Sequence, residues 1–170
     1  MIELRRAIEA DAETLTDLGK TTFVETFAKD NRKEDMDLYV AETFNATKQL
    51  QEIQDLNRWI EIAWFGKSAI GFLHLIKSEP DPSVTGPKPI ELLRLYVDSH
   101  WLGKGAGAAL MNRSIQIARS EGFQTLWLGV WERNFRAQAF YSKYEFVAVG
   151  SHSFRLGTDD QRDIIMARSI

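Results

Sequence analysis

The chain contains no cysteine, which excludes disulfide bonds, thiolate metal ligands and cysteine nucleophiles. All four prolines fall within one short segment, Ser78 to Pro89, which predicts an irregular surface loop. No apolar run approaches the length of a membrane span, and the first residues lack the long apolar core of a signal peptide. We therefore expect a cytoplasmic protein without a membrane partner.

Neither sign of charge is in large excess, because 24 acidic and 21 basic side chains leave a formal net charge of −3. This balance gives no electrostatic case for a nucleic-acid partner. The three histidines, His74, His100 and His152, show no metal-ligand spacing, so no metal is expected. The length of 170 residues predicts a single domain, residues 1–170, with a core of adequate size.

The most informative stretch of the chain runs from Leu92 to Ala118. Its first residues, as far as Val97, read as a buried strand, and a helical repeat of apolar residues begins near Ala106. Between them lie three glycines and a lysine, Gly103, Lys104, Gly105 and Gly107. The first amides of a helix have no intrahelical acceptor and carry the positive end of its dipole. A glycine-bare helix start therefore predicts a cradle for a diphosphate.

Glycines in such a pattern also have other interpretations. A glycine turn between a strand and a helix also occurs where only tight packing requires glycine. A dinucleotide-binding fingerprint fits the loop, with Glu132 as its ribose-binding acid, but only about 60 residues remain for further βα units. A P-loop at Gly66 to Ser68 is excluded, because Glu61 stands where that motif needs its first glycine.

A second motif follows one βαβ step later. A predicted strand, Gln124 to Val130, leads to Asn134, which is placed to cap a helix. Ala137, Phe140 and Tyr141 then recur at helical spacing. Taken alone, Tyr141 is as consistent with a ring packed in the core as with a catalytic phenol.

Together, the LGKGAGAAL loop and the N-x-x-A-x-x-x-Y segment resemble the GCN5-related N-acetyltransferases, the GNAT superfamily. The resemblance implies acetyl transfer from acetyl-CoA to an amine, with Tyr141 protonating the departing thiolate. The residues that it implies for cofactor binding are Leu95, Tyr96, Val97, Gly103, Lys104, Gly105, Ala106, Gly107, Ala108, Asn134, Ala137 and Lys143. Two positions depart from the family pattern: Leu102 replaces an Arg or Gln, and Glu145 replaces a glycine. A positive φ at Glu145 would be strained.

The remaining patterns predict an α/β protein with a mixed sheet of about seven strands flanked by helices. The further strands are Ile2 to Arg6, Trp59 to Phe65, Ala69 to Ile76, Glu145 to His152 and Arg162 to Arg168, with a polar bend from Leu156 to Gln161. The further helices are Ala12 to Phe27, with Asp11 as its cap, and Thr47 to Leu56. The resemblance adds that the sheet is GNAT-like, mostly antiparallel and splayed between its fourth and fifth strands.

The general base is less strongly indicated. Strict strand alternation places Glu91 on the opposite face from Leu92, Arg94 and Tyr96, where it either faces the cleft as the base or forms an ordinary ion pair. Glu25 and Asp35 are further candidates. His152 either reaches the acceptor end or is a structural histidine.

An acidic segment with interleaved aromatic residues predicts the acceptor site. Phe27, Asp35 and Tyr39 combine aromatic faces with a carboxylate, which suits an aliphatic cation, although such charges are usually a solvated helix surface. Phe23 to Phe27, the LLRLYV strand, GVWERN and the ending GSHSFRLGTDDQRDIIM resemble PaiA-type spermidine/spermine acetyltransferases. The resemblance implies a small-molecule amine, a polyamine or a related compound, and leaves a homodimer open. A peptide N-terminal acetyltransferase and a non-catalytic CoA- or dinucleotide-binding domain are the alternatives.

Overall fold

The computed structural model describes all residues from Met1 to Ile170, and its strands form one seven-stranded sheet. The strands are β1 (Ile2–Arg6), β2 (Arg58–Phe65), β3 (Ser68–Ile76), β4 (Pro89–Val97), β5 (Thr125–Trp131), β6 (Val147–Leu156) and β7 (Asp159–Ser169). Their order in the sheet is β1-β2-β3-β4-β5-β7-β6, and only the β4–β5 pair is parallel. The helices are α1 (Ala12–Phe27), α2 (Lys33–Thr43), α3 (Ala46–Gln54), α4 (Ala106–Ser120) and α5 (Phe135–Lys143). The predicted fold class is confirmed, and no helix has the length and apolarity needed to cross a bilayer.

The sheet opens between β4 and β5, as predicted. These two strands pair only from Pro89 to Glu91, where Glu91 lies opposite Trp127, and they diverge beyond that point. The rest of β4, as far as Val97, keeps β3 as its neighbour on one side and has no strand on the other. Main-chain donors and acceptors along the open edge of β4 are therefore available to an extended ligand.

The sheet separates two hydrophobic clusters. On one face, Leu110 and Met111 of α4 pack on Leu73 and Leu126 of the sheet. On the other face, α1 and α2 pack on neighbouring strand residues such as Phe72. Phe72 and Leu73 are consecutive but belong to different clusters, because alternate side chains of a strand point to opposite faces.

A β-bulge in β4 changes which side chains share a face. The pairing of β3 with β4 shifts between His74 and Leu75, so that Leu93 has no partner on β3. Ile90 and Leu92 before the bulge belong to the α4 cluster, which directs Glu91 to the other face. After the bulge Arg94 and Tyr96 point to that same face, where they contact Glu52 and Phe72. The strict alternation predicted from the sequence is wrong here, since Glu91, Arg94 and Tyr96 lie together.

The C-terminal hairpin also differs from its prediction. The strands continue through the predicted bend, and only Gly157 and Thr158 form the turn. Asp35 holds this turn from α2, because its carboxylate accepts hydrogen bonds from the Thr158 N–H and hydroxyl, both at 2.6 Å. Gly157 has φ +60, and a β-carbon there would collide with Asp35. A contact between residues so distant in sequence gives no local signal.

Helix α1 starts at Ala12 as predicted, but its predicted cap and the predicted start of α3 are wrong. The carboxylate of Asp11 does not cap α1; it accepts the Ile8 N–H at 2.8 Å and pairs with Arg5 at 2.7 Å. The helix α3 begins one residue earlier than predicted, because Asn45 caps it by accepting the Lys48 N–H at 2.9 Å.

A buried ion network joins α3 to the sheet. Glu52 lies 2.8 Å from a guanidinium nitrogen of Arg94 and 3.6 Å from one of Arg58. The side chains of Glu52 and Arg94 are both more than nine-tenths buried. His74 lies beside them, and burial followed by the Arg94 charge holds the pKa of His74 well below its usual value. The imidazole is therefore neutral. Glu52 is the carboxylate that compensates Arg94, and it shares Arg58 with Asp55, which lies 2.9 Å from that guanidinium.

Candidate active site

The glycine loop forms the start of α4 as predicted. Gly105 is the N-cap with φ 92, and Gly103 has φ 74, so both adopt a backbone that disfavours side chains. The first helical hydrogen bond runs from the Ala109 N–H to the Gly105 carbonyl at 2.9 Å. The earlier amides without a protein acceptor are those of Gly103, Gly105, Ala106, Gly107 and Ala108.

These amides fit a diphosphate. A β-carbon added at Gly103 or Gly105 would meet no atom within 4 Å, so the loop borders open space at both positions. The ammonium group of Lys104 lies 5.6 Å from the centre of the Trp101 ring at the same loop. Free N–H groups, the positive end of the α4 dipole and a nearby cation together form an anion site.

The two sequence motifs meet in space. A β-carbon at Gly107 would lie 3.6 Å from the Phe140 ring of α5 and 3.9 Å from Val97 at the end of β4. The glycine loop, the open edge of β4 and α5 are thus neighbours. As predicted, Asn134 caps α5 by accepting the Ala137 N–H at 3.2 Å. Lys143 is exposed near the end of α5.

Tyr141 on α5 is partly buried and packs against the hydrophobic cluster of α4, as does the open end of β4. Its ring packs against Phe140 and Phe146, with ring centres 5.6 and 5.8 Å away. Burial raises the pKa of Tyr141 to about 12. Its hydroxyl makes no hydrogen bond within the protein, and it is not one of the two sealed polar groups without a partner, which are indole nitrogens. The phenol is therefore protonated and free to donate.

The departure at Glu145 has the predicted consequence. Glu145 has φ 65, a conformation that costs a non-glycine residue about 1 kcal/mol or more. Arg168 supports the turn, because it donates to the Tyr144 carbonyl at 2.6 Å and lies 3.2 Å from the Glu145 carboxylate. The turn after α5 is thus preserved without glycine.

Six aromatic side chains lie together on the other face of the sheet beside the splay, and we call this set the aromatic groove: Phe23, Phe27, Tyr39, Tyr96, Trp131 and Phe154. Tyr39 stacks on Phe23 at 4.6 Å and meets Phe154 at 5.5 Å. Phe27 meets Trp131 of β5 edge-on at 5.9 Å. Burial raises the pKa of Tyr96, whose ring centre lies 6.4 Å from that of Phe23.

Two carboxylates with raised pKa values belong to this groove. Burial raises the pKa of Glu91, which accepts the Ser78 hydroxyl at 3.0 Å and lies where β4 and β5 part. Burial also raises the pKa of Asp163, which lies opposite Trp131 on β5 and His152 on β6. Sequence reasoning missed Asp163, because only the strand register brings it to the groove.

Two other candidate acids are engaged elsewhere. The carboxylate of Asp35 is buried and accepts both hydrogen bonds from Thr158, and these bonds, led by that of the hydroxyl, lower the pKa of Asp35. Glu25 accepts the Ser99 N–H at 3.3 Å on the surface. These contacts argue against Asp35 as a substrate-binding residue and against either acid as the base, whereas Phe27 and Tyr39 do line the groove.

A diphosphate cradle, a strand edge open to an extended arm and a free phenol beside it define a CoA-binding acyltransferase site. Comparison with known proteins agrees. Residues 20–146 match the Acetyltransferase (GNAT) family, and the chain belongs to that family. It is thus an N-acetyltransferase that uses acetyl-CoA as its donor.

Relatives and solved structures match over almost their full lengths. An uncharacterized N-acetyltransferase of Lactobacillus delbrueckii subsp. lactis is 27% identical over 169 residues, which covers 99% of this chain and 98% of the relative. A spermidine N(1)-acetyltransferase of Thermoplasma acidophilum is 26% identical, covering 98% and 96%. The crystal structure of a PaiA N-acetyltransferase from Thermoplasma acidophilum in complex with coenzyme A has a TM-score of 0.82 at 24% identity, covering 100% and 99%.

A side chain at Gly105 tests the cradle. We expect Gly105→Val to weaken CoA binding on the order of tenfold, because a β-branched residue strains the positive φ and covers the free amides. Titration calorimetry with CoA measures this. Gly66→Val is the matched control, since Gly66 also has positive φ and open space but lies in the β2–β3 turn. Equal affinity in the two variants would contradict the cradle.

Proposed function

We propose that the enzyme acetylates a primary amine of a small aliphatic polyamine in the cytoplasm. The observation that carries the proposal is the aromatic groove, which ends at Glu91 and Asp163 beside the opened strands. Aromatic faces and carboxylates together bind aliphatic ammonium groups. The spermidine N(1)-acetyltransferase name of the Thermoplasma relative supports the same class of acceptor.

The residues of the chain have distinct roles in this proposal. The free amides between Gly103 and Ala108 and the ammonium group of Lys104 bind the diphosphate. Main-chain groups of Leu95, Tyr96 and Val97 hold the extended arm. Acetyl-CoA, when bound, supplies the thioester. Asn134 and Ala137 fix the start of α5, and Lys143 lies near its exposed end. These elements orient the reaction centre between β4 and α5.

Proton transfer is assigned to two groups. Glu91 takes a proton from the acceptor amine, directly or through a water, and its raised pKa makes it a better base than a free carboxylate. Tyr141 donates its phenolic proton to the leaving thiolate. Glu91 points away from the cluster of its neighbours Ile90 and Leu92, whereas Tyr141 packs against that cluster, so we assign the base and the acid to opposite faces of the sheet.

A steady-state acceptor screen tests the proposal. We expect spermidine and spermine to have higher kcat/KM than butylamine, aminoglycosides or N-terminal peptides, since only a polyamine carries a second ammonium on a slender aliphatic chain. Activity on peptides alone would instead identify a peptide N-terminal acetyltransferase. Binding of CoA with no acetylation of any amine would leave only a CoA-binding domain.

The groove itself is tested by Phe27→Leu. We expect this change to raise KM for the polyamine on the order of tenfold, because it removes one aromatic face from the cation. Phe123→Leu is the matched control, since Phe123 packs edge-on against Trp59, outside the groove. The polyamine assignment fails if Phe27→Leu and Phe123→Leu have the same KM.

A further inference from the structure

Acetylation of an ammonium substrate releases one proton in each turnover. The amine loses two protons as the C–N bond forms, and the thiolate takes up one as the C–S bond breaks. The balance is R–NH₃⁺ plus acetyl-CoA giving R–NH–COCH₃, CoA thiol and H⁺. This last proton must leave a groove walled mainly by aromatic rings.

Three titratable side chains from distant parts of the chain form an array at the end of this groove. His152 of β6 lies between two carboxylates: its Nε2 is 3.7 Å from Asp163 of β7, and its Nδ1 is 3.5 Å from Asp81 in the β3–β4 loop. The Asp163 side chain is only 14% exposed, whereas His152 is 39% exposed. The array therefore runs from a covered carboxylate to an imidazole that reaches water.

Two glycines determine how closely the backbone approaches the array. Gly129 of β5 has no side chain, and a β-carbon there would lie 3.3 Å from the Asp163 carboxylate and 3.7 Å from His152 Nε2. Gly150 of β6 lets the loop approach closely, since a β-carbon would collide with Ser83. These two glycines leave space on one side of His152 and bring Asp81 to the other.

The two carboxylates have different environments. Asp81 accepts the hydroxyl of Ser83 at 2.6 Å and its N–H at 2.9 Å, and these bonds, led by that of the hydroxyl, hold the pKa of Asp81 below its usual value. Asp81 thus stays ionised and can fix the orientation of the imidazole. Burial raises the pKa of Asp163, which suits it to take up a proton. Burial also raises the pKa of Glu91, the second carboxylate on this face of the sheet.

We propose that His152, oriented by Asp81 and in contact with Asp163, carries the proton released by the acceptor amine from the groove to solvent. The inference rests on amine acetylation as proposed above. In it, Asp163 or Glu91 receives the proton, His152 passes it on from its partly exposed ring, and Asp81 is a positioning residue. The arrangement follows the general logic of a base held by a carboxylate.

The test compares pH–rate profiles of the full-length enzyme with spermidine and acetyl-CoA. We expect His152→Gln to lower kcat on the order of 10²-fold near neutral pH and to change the shape of the profile, with KM for acetyl-CoA unchanged. Added imidazole should restore part of the rate, because a small base can replace the missing ring. Asp81→Asn should lower kcat less and should not be rescued by imidazole.

Matched controls separate proton transfer from a structural effect. His100→Gln and Asp160→Asn change an exposed histidine and an exposed β7 aspartate, and both should keep the parental profile. A His152→Gln enzyme with parental kcat and profile, or one that loses activity without imidazole rescue, overturns the relay. A parent enzyme that acetylates no amine contradicts the proposed function itself, which is a different result.

Discussion

Tyr141→Phe is expected to lower kcat on the order of 10³-fold and to leave KM for acetyl-CoA within about twofold. The change removes one hydroxyl that has no partner in the protein and keeps the ring that packs on Phe140 and Phe146. The leaving thiolate then has no positioned proton donor. Steady-state kinetics with acetyl-CoA and the best amine of the screen measure the effect.

The raised pKa of Tyr141 adds a pH signature to this prediction. The donor must be protonated, and burial keeps its pKa at about 12, so the parental rate should show no alkaline loss from this group below about pH 11. Tyr144→Phe is the matched control, because Tyr144 lies at the end of the same helix and packs on the same Phe140 ring. Equal kcat values for Tyr141→Phe and Tyr144→Phe would refute the acid role.

Glu52→Gln is expected to lower the free energy of unfolding by about 3 to 5 kcal/mol. The amide has nearly the same volume, but it removes the charge that compensates buried Arg94 and its neighbour Arg58. An uncompensated buried guanidinium is costly, and the expected loss is a large share of the ~5–15 kcal/mol that stabilises an ordinary domain. Urea unfolding should show a lower midpoint with an unchanged slope.

Asp37→Asn provides the comparison for this prediction. Asp37 forms an exposed pair with Lys33 one helical turn earlier, and its side chain is 64% exposed. Removing that charge should change stability by less than about 0.5 kcal/mol. A midpoint shift for Glu52→Gln as small as the one for Asp37→Asn would show that the buried network does not stabilise the fold.

Local signals made half of the site predictable. Gly103 and Gly105 adopt positive φ, and Asn134 caps its own helix. Each of these features involves residues only a few positions apart in the chain. Such signals survive in the sequence because the group and its partner are neighbours in the chain. The glycine turn before α4 and the capped helix that carries Tyr141 could therefore be predicted before the fold was known.

The acceptor side could not be located in the same way. The unpaired Leu93 turns Glu91 to the face of Arg94 and Tyr96, although strict alternation separates them. Asp35, which looked like a substrate ligand, is used to hold the β6–β7 turn through Thr158. Each outcome depends on a partner contributed by another strand or helix.

The sequence by itself determined the seven-stranded α/β architecture, the glycine cradle and the phenol on the following helix, because periodicity, capping and turn preferences are short-range properties. Tertiary structure alone decided which carboxylates meet the groove and placed His152 between Asp81 and Asp163. The physical reason is that strand register and long-range packing choose among residues whose local preferences are equivalent.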